Sequence, residues 1–173
     1  HAGLFPTGYS GLHRVSLGDW RTDSTGPMQV VSGPMGRPRV HYEAPAAKRL
    51  SAEMTRFLNW FNEPSNMDGL MRAAVAHLWL VTLHPLDDGN GRVARAVTDM
   101  ALAQLEQSSQ RFYSVSSQIR RERQAYYDTL EQSQRGTLDI TEWLSWFLEC
   151  TGRAIDAAEV DQARFGHARE KPL

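Results

Sequence analysis

The segment from His84 to Arg95 gathers, within twelve positions, side chains that can bind phosphate, hold a divalent cation and move a proton. Gly89 and Gly91 leave the backbone bare where a turn enters a helix, so consecutive N–H groups can converge on an anion with the positive helix end behind them. Arg92 and Arg95 share a face of the first helical turn and can each form paired hydrogen bonds to phosphate oxygens. The pattern therefore predicts a polyphosphate site.

Other residues of the same segment add further chemistry. Asn90 is expected to add an amide donor to the anion site, and Asp88 offers the hard oxygen ligand that phosphate-bound Mg²⁺ takes from proteins. His84 is the one nearby group that can accept a proton near neutral pH, and Pro85 ends the preceding helix beside it. Taken singly, these residues are typical of a cap, a turn or a solvated face. Their combination in one ordered window favours a catalytic site.

The elements that must position this segment are predicted to be mainly α-helical. From Pro45 onward apolar residues recur with a period of about 3.6, which is typical of amphipathic helices. Helices are predicted at 50–61, 70–81, 90–105, 120–134 and from 140 or 141 to 164, with Gly136 at the break between the last two. The stretch before Pro45 is rich in Gly and Pro, and short β-type runs at 29–32 and 39–42 indicate an irregular hairpin. The fold class is therefore mainly α, a helical bundle with one β-hairpin.

Length and composition exclude several classes of protein. The 173 residues, 41% of them hydrophobic, suit one domain with its own core. A formal net charge of −1 provides no basic excess for nucleic acid. The apolar run at 73–83 is shorter than the roughly 18 residues of a membrane span, so no membrane partner is expected. The chain starts at His1, and we expect a single domain over 1–173 that was cut from a longer chain.

Several reactive residue types are expected to be structural. His77 lies among Ala, Leu and Trp, so a packed, hydrogen-bonded ring is favoured over a metal ligand paired with His84. Cys150 is the single cysteine, which excludes an internal disulfide, favours a reducing cytoplasmic location and predicts a buried, unreactive thiol. Most tryptophans are expected in the core, with one partly exposed. The core positions are Trp60, Trp79, Trp143 and Trp146, and the exposed one is Trp20.

The run His84-Pro85-Leu86-Asp87-Asp88-Gly89-Asn90-Gly91-Arg92, followed by Arg95, resembles the signature of the Fic family, HxFx[DE]GNGRxxR. Residues 84–95 are called the signature segment below. The similarity to the family continues outside this segment. The run from Val30 to Tyr42 resembles the family's flap, and a nucleoside-side helix is matched at Tyr126, Tyr127, Leu130, Gln134 and Gly136. The resemblance implies a Fic-type helical bundle with a β-hairpin flap, residues 26–45, next to the active-site loop.

The same resemblance implies a protein adenylyltransferase, which moves AMP from Mg-ATP to a Ser, Thr or Tyr hydroxyl of a target protein. It makes His84 the general base and Asp88 the Mg²⁺ ligand. The implied nucleotide contacts are Asp88, Gly89, Asn90, Gly91, Arg92, Val93, Ala94, Arg95, Tyr126, Tyr127 and Gln134. Val40, His41 and Tyr42 of the flap would align a target segment by strand pairing.

Two departures from the family pattern bear on rate and regulation. Leu86 replaces the usual Phe and should still anchor the loop in the core, though it fills less volume. Many relatives carry an inhibitory helix, [ST]xxxE[GN], and the nearest match at 145–150 lacks its last residue, so we expect it to be coincidental. An inhibitory helix would then come from missing upstream sequence or from a partner.

Gly91 fits the adenylylating branch of the family, whereas Lys at this position would suggest the phosphorylating branch.

Other functions remain open on the sequence alone. AMP removal or self-modification would use a similar site, and exposed apolar residues among the early helices could serve a homodimer. An alternative of another class is a catalytically silent ATP-binding regulatory or scaffold module, which the intact His84 disfavours. A metal-dependent phosphohydrolase using His84 and Asp88 is weakened by the lack of further carboxylates nearby.

Overall fold

The computed structural model describes residues 1–11, 13–34, 36–108 and 110–169. Met35, inside the predicted flap, and residues 170–173 of the predicted domain lie outside the described residues. The helices are α1 Leu50–Asn62, α2 Gly69–Leu83, α3 Asn90–Glu106, α4 Val115–Arg121, α5 Arg123–Arg135 and α6 Thr141–Arg169. The strands are β1 Tyr9–Ser10, β2 His13–Arg14, β3 Gln29–Ser32 and β4 Arg39–Glu43.

The predicted mainly α class with one hairpin is confirmed, and four of the five predicted helices lie close to their expected bounds. The helix predicted over 120–134 corresponds to α5, which begins at Arg123 because a separate short helix, α4, precedes it and ends at Arg121. The Ser114 side chain starts α4 by accepting from the backbone N–H of Ser117 at 3.1 Å. Glu122 then leaves helical geometry at φ −102° and ψ 30°. Its carboxylate turns to the guanidinium of Arg153 on α6, 2.7 Å away.

Helix α2 forms the centre of the bundle and ends at the signature segment. It packs against α1, α3 and α6, which bury apolar side chains on several of its faces. The Asp68 side chain caps its start by accepting from the N–H groups of Leu70 and Met71. His84 ends it in left-handed geometry, and the chain then turns at once into α3. The signature segment is thus held between two packed helices.

The predicted flap is an antiparallel hairpin of β3 and β4. Val30 pairs with Tyr42 and Val31 with Val40, which leaves His41 as an extra residue in β4. The short ladder of β1 and β2, in which Tyr9 pairs with Arg14, was not predicted.

The predictions for tryptophan and cysteine are confirmed. Trp143 is fully buried, and Trp60, Trp79 and Trp146 pack against the core, whereas Trp20 is 37% exposed. Cys150 is buried, which raises the pKa of its thiol to about 12. Across the described parts of the chain, no helix has both the length and the apolarity needed to cross a bilayer.

Candidate active site

His84 occupies the left-handed region at φ 47° and ψ 54°, where the chain turns from α2 towards α3. Its Nδ1–H donates to the carbonyl of Val81 at 3.3 Å, so the neutral ring carries its lone pair on Nε2. Nε2 has no hydrogen-bond partner within the described residues. Burial lowers the pKa of His84 below its ordinary value of 6.5, against an opposing effect of the Val81 hydrogen bond. The ring is therefore a neutral base with one free nitrogen.

Arg21 fixes the backbone of this turn from far along the chain. Its side chain is fully buried, and its Nε donates to the carbonyl of His84 at 2.7 Å. The two remaining guanidinium contacts run to Asp23 at 2.7 Å and to the carbonyl of Pro45 at 2.6 Å. The backbone N–H of Arg21 also donates to the carbonyl of Pro85 at 2.9 Å. Sequence analysis missed Arg21, because no local pattern distinguishes it from a surface arginine.

Asn90 braces the loop from inside. Its Oδ1 accepts from the N–H of Leu86 at 2.9 Å, and its Nδ2 donates to the carbonyl of the same residue at 2.8 Å. The side-chain oxygen and one N–H of the Asn90 amide are thus used by the loop backbone, and the expected contribution of Asn90 to the anion site stays a prediction. Leu86 itself is 5% exposed, so the expected anchoring in the core is confirmed.

The entry into α3 supplies the converging N–H groups. Gly89 has φ +82°, and a Cβ there would lie 3.1 Å from Cε2 of Phe5, so both conformation and space require glycine. At Gly91 a Cβ would meet only Nη1 of Arg95 at 3.6 Å, an ordinary contact. The backbone N–H groups of Asn90, Gly91 and Arg92 have no acceptor among the described residues. They are free to bind an anion at the helix N-terminus.

Asp88 stands at the edge of this anion site with its side chain 46% exposed. Its Oδ2 accepts from the hydroxyl of Ser10 at 2.5 Å, and its Oδ1 accepts from the N–H of Gly89 at 2.5 Å. These hydrogen bonds, the one from Ser10 first, lower the pKa of Asp88. The carboxylate is thus held ionised. No group of three or more His, Cys, Asp or Glu that could hold a metal occurs in the described part of the chain.

The two signature arginines have different surroundings. The guanidinium of Arg92 lies 4.5 Å from the ring centroid of Phe5 and 3.9 Å from Oδ2 of Asp88, on the side covered by the N-terminal residues. Arg95 lines a cleft together with His84 and Gly91, and within the described residues it forms no ion pair. A guanidinium without an ion pair in the same cleft as a free imidazole nitrogen suits an anionic ligand.

This cleft, of about 710 Å³, brings the three predicted parts of the site together. The signature segment contributes His84, Gly91 and Arg95, the flap contributes His41 and Tyr42, and α5 contributes Tyr126, Tyr127 and Gln134. The other predicted site residues lie outside its lining. These are Val40, Asp88, Gly89, Asn90, Arg92, Val93 and Ala94. Ala94 is fully buried and Val93 packs on the core, so neither of these side chains faces the cleft.

Helix α5 forms the wall opposite the signature segment. The Tyr126 ring is 5% exposed and its hydroxyl is bound to His77, while Tyr127 is 46% exposed. Nε2 of Gln134 donates to Oγ1 of Thr82 on α2 at 3.2 Å. The prediction that His77 is a packed, hydrogen-bonded ring is confirmed. The wall is thus aromatic at the cleft and tied to α2 by polar contacts.

The flap is tied to the same helix by charged groups. Oε2 of Glu131 accepts from Nδ1 of His41 at 2.5 Å, and its Oε1 accepts from Arg39 at 3.0 Å. Arg135 donates to the backbone carbonyls of His41, at 2.8 Å, and of Val40. Two carbonyls of β4 are therefore already occupied, whereas β3 has β4 as its only strand partner within the described residues.

The segment 145–150 lies inside α6, and the carboxylate of Glu149 faces Arg153 at 3.4 Å. That its match to the inhibitory pattern is coincidental stays a prediction.

The N-terminal residues are the other part of the site that sequence analysis missed. Phe5 is 4% exposed and covers Gly89, the ring Nε2 of His1 lies 3.1 Å from the carbonyl of Asp88, and Ser10 binds the Asp88 carboxylate. The N–H of Ser16 donates to Asp87 at 2.9 Å. Their only sequence signal is an apolar residue, Phe5, within a Gly- and Pro-rich stretch.

Proteins named as adenylyltransferases are similar to this chain. A "Protein adenylyltransferase Fic" of Nematostella vectensis is 32% identical over 133 residues, which is 75% of this chain and 29% of that protein. A "Protein adenylyltransferase Fic" of Culex quinquefasciatus is 32% identical over 114 residues, covering 65% of this chain and 21% of that protein. The chain thus spans less than a third of the length of these relatives.

Solved structures share the fold. A Fic family protein from Desulfovibrio desulfuricans G20 superposes with a TM-score of 0.69 at 24% identity, over 88% of this chain and 43% of that one. A Fic domain containing signaling protein from Bacteroides thetaiotaomicron VPI-5482 gives a TM-score of 0.64 at 21% identity, over 83% and 55%. The family model of the Fic/DOC family matches residues 1–102, which include the N-terminal cover, the flap and the whole signature segment. With this match, the chain belongs to the Fic/DOC family.

Proposed function

We propose that the chain transfers AMP from Mg-ATP to the hydroxyl of a Ser, Thr or Tyr side chain in a target protein. The observation that carries this proposal is the neutral His84, whose free Nε2 shares a cleft with the unpaired guanidinium of Arg95. The names of the similar proteins support the same activity. A base and a phosphate clamp on one wall are what an in-line attack on a phosphate requires.

The triphosphate would bind where the backbone N–H groups of Asn90, Gly91 and Arg92 are free. Arg95 would neutralise charge from within the cleft, and Arg92 would have to leave the ring of Phe5 to add a second guanidinium. In such a transfer the protein acts mainly by positioning the reactants and by stabilising charge on the phosphate oxygens. The Tyr126 and Tyr127 wall would border the adenosine.

The residues present also fit Mg²⁺. This ion takes one or two protein carboxylates together with substrate phosphates and water, and Asp88 is an ionised, half-exposed carboxylate at the edge of the anion site. Bound there, Mg²⁺ would neutralise phosphate charge. The hydroxyl of Ser10 holds the carboxylate of Asp88 in place for that role.

The transfer step balances with the groups described. The target oxygen bonds to the α-phosphorus, the bond from that phosphorus to the bridging oxygen of the β-phosphate breaks, and pyrophosphate leaves. The target proton passes to Nε2 of His84, while Nδ1–H stays on the carbonyl of Val81 and holds the ring in orientation. The lowered pKa of His84 keeps the imidazole unprotonated before the step.

An extended target segment would pair with the flap along β3. Arg135 occupies carbonyls of β4, whereas β3 has an open edge, with Val31 51% exposed. The target segment would accordingly pair with β3 and not with β4, the strand that carries the residues expected from the sequence, Val40, His41 and Tyr42.

Labelled nucleotide tests the proposal. The chain is incubated with Mg-ATP that carries the label in the α-phosphate or, in a separate reaction, in the γ-phosphate. Each reaction is run first with the chain alone and then with a cell lysate that lacks the activity of this protein. Covalent α-label on protein is the expected result. Covalent γ-label would instead indicate phosphorylation, free phosphate alone a phosphohydrolase, and nucleotide binding without transfer a silent module; each would overturn the proposal.

A further inference from the structure

His77 lies where several helices meet. Its ring is fully buried, with Nδ1 2.9 Å from Oγ1 of Thr98 and Nε2 2.9 Å from the hydroxyl oxygen of Tyr126. The ring also stacks on Trp143 of α6, with 5.4 Å between centroids and 30° between planes. Side chains from α3, α5 and α6 thus converge on one imidazole of α2.

The protons of this cluster have one consistent arrangement. Thr98 donates its single hydroxyl proton to the carbonyl of Ala94 at 3.0 Å, so its oxygen accepts from Nδ1–H of His77. Nε2 then carries the lone pair and accepts from the hydroxyl of Tyr126. Burial first, and the nearby charge of Arg95 second, lower the pKa of His77 to about 3. The ring therefore stays neutral, with one donor and one acceptor.

The cluster joins the two opposite walls of the cleft. Thr98 is one turn beyond Arg95 on α3, and Tyr126 belongs to the aromatic wall of α5. Within the described residues, α5 packs closely against α4, α6 and β4, and it reaches α2 through polar contacts at its two ends. One is the part-buried contact of Gln134 with Thr82, and the other is the buried contact of Tyr126 with His77. The buried contact continues through the ring of His77 to Thr98.

From this geometry we infer that Thr98, His77 and Tyr126 form a positioning chain that sets the separation between Arg95 and the wall of α5, and thereby the affinity for a nucleoside triphosphate. His77 is a positioning residue, since its ring contacts other side chains and stays out of the cleft lining. The inference rests on the proposed function for the identity of the ligand. It adds a requirement that lies outside the signature segment. The two walls of the cleft must be kept at a fixed distance from each other by contacts that pass through a buried imidazole.

Thr98→Val is the principal test, because Val keeps the shape of Thr and removes the acceptor of Nδ1–H. Thr151→Val is its matched control. Thr151 is equally buried and donates to the carbonyl four residues earlier, that of Phe147, at 2.9 Å, but it lies on α6 outside the chain of contacts. Thr98→Ser restores the hydroxyl. Tyr126→Phe breaks the positioning chain at its other end, so the test does not depend on Thr98→Val folding correctly.

The dissociation constant of α,β-methylene ATP in the presence of Mg²⁺ is measured by calorimetry, with thermal unfolding of each variant as the stability reference. Thr98→Val and Tyr126→Phe are expected to weaken binding about tenfold, the effect of roughly 1.4 kcal/mol. Thr98→Ser and Thr151→Val should bind as the wild type does. The double variant of Thr98 and Tyr126 should weaken binding by less than the product of the single effects, because both break one chain.

Wild-type affinity in both Thr98→Val and Tyr126→Phe would overturn the inference and leave the proposed function standing. A loss of affinity in Thr151→Val equal to that in Thr98→Val would do the same. A wild-type chain that binds no ATP analogue would overturn the proposed function and, with it, the inference. In a transfer assay Thr98→Val should raise the KM for ATP and leave kcat unchanged, because the base and its orientation are untouched.

Discussion

The two sides of the cleft are held by different kinds of contact. The signature segment is braced by hydrogen bonds that are short in sequence as well as by distant ones. Asn90 binds Leu86 four residues away and His84 binds Val81 three residues away, while Arg21 reaches the carbonyl of His84 across 63 residues. On the flap side the contacts of Glu131 and Arg135 with β4 span 90 to 95 residues. The signature segment thus carries part of its bracing within itself, whereas the flap depends on where a distant helix lies. The signature side is therefore expected to be the rigid one and the flap the adjustable one.

The largest expected effect is on the signature side. His84→Ala should lower AMP transfer by about 10²–10⁴ while nucleotide binding survives, because a general base contributes in that range. His84→Asn serves as the backbone control, since Asn tolerates the left-handed geometry better than Ala does. Transfer is followed with α-labelled ATP and binding by calorimetry. Undiminished transfer in both variants would remove His84 from the mechanism.

The pH dependence of transfer gives a second measure of the same residue. The base must be unprotonated, and burial lowers the pKa of His84 below 6.5, so the neutral form persists as the pH falls. The rate should therefore hold to lower pH than an ordinary histidine base would allow, and should decrease only below the lowered pKa, then about tenfold per pH unit. An acid limb centred above pH 6.5 would contradict a buried neutral base at this position.

Gly89→Ala and Gly91→Ala separate conformation from contact within the segment. Gly89→Ala should reduce the free energy of unfolding by about 1–3 kcal/mol, because φ is +82° and a Cβ would press on Phe5. Gly91→Ala has ordinary helical geometry and room for a Cβ, so its stability should change little. Chemical denaturation of both variants measures the difference. Equal losses would mean that the local turn is not what makes this side rigid.

The smallest effect is expected on the flap side. Arg135→Ala removes hydrogen bonds to Val40 and His41 and an ion pair with Glu131, yet the guanidinium is half exposed, so global stability should change by less than about 1 kcal/mol. Amide exchange in β4 should nevertheless become faster. Arg120→Ala is the control, because that exposed side chain has, within the described residues, a hydrogen bond only to Ser117 on its own helix. Unchanged exchange in Arg135→Ala would show that the hairpin holds its position without α5.

The contrast between local and distant contacts also explains how much the sequence predicted. Helical periodicity and the turn residues of 84–95 depend on neighbours a few positions apart, so the helices, the hairpin and the residues of the loop were found. The bracing of the loop by Asn90 was not predicted, since the residue type shows a donor but not which groups it meets. Glu122, where α4 and α5 are separated, pairs with Arg153, 31 residues later. Contacts of this kind leave no periodic pattern in the sequence.

The same reasoning applies to the N-terminal cover of the site. Ser10 and Phe5 act on Asp88 and Gly89 from nearly 80 residues or more away, and their own neighbourhood shows only turns. Arg21 is similar, as it reaches the carbonyl of His84 across 63 residues. Residue types that bind a ligand are recognised from their spacing, but the residues that orient them are recognised only once the chain is folded.

The buried Arg21 also bears on how far the protein can be shortened. The guanidinium of Arg21 has no solvent contact and donates to the carbonyl of His84. Its removal would leave a buried cavity and a carbonyl without a hydrogen-bond donor. A fragment that begins after residue 23 would keep α1 to α6 and the entire signature segment, yet it would present the imidazole on a backbone without its anchor. A fragment that keeps this anchor must therefore begin at or before Arg21, at a point that no helix boundary marks, since α1 starts only at Leu50.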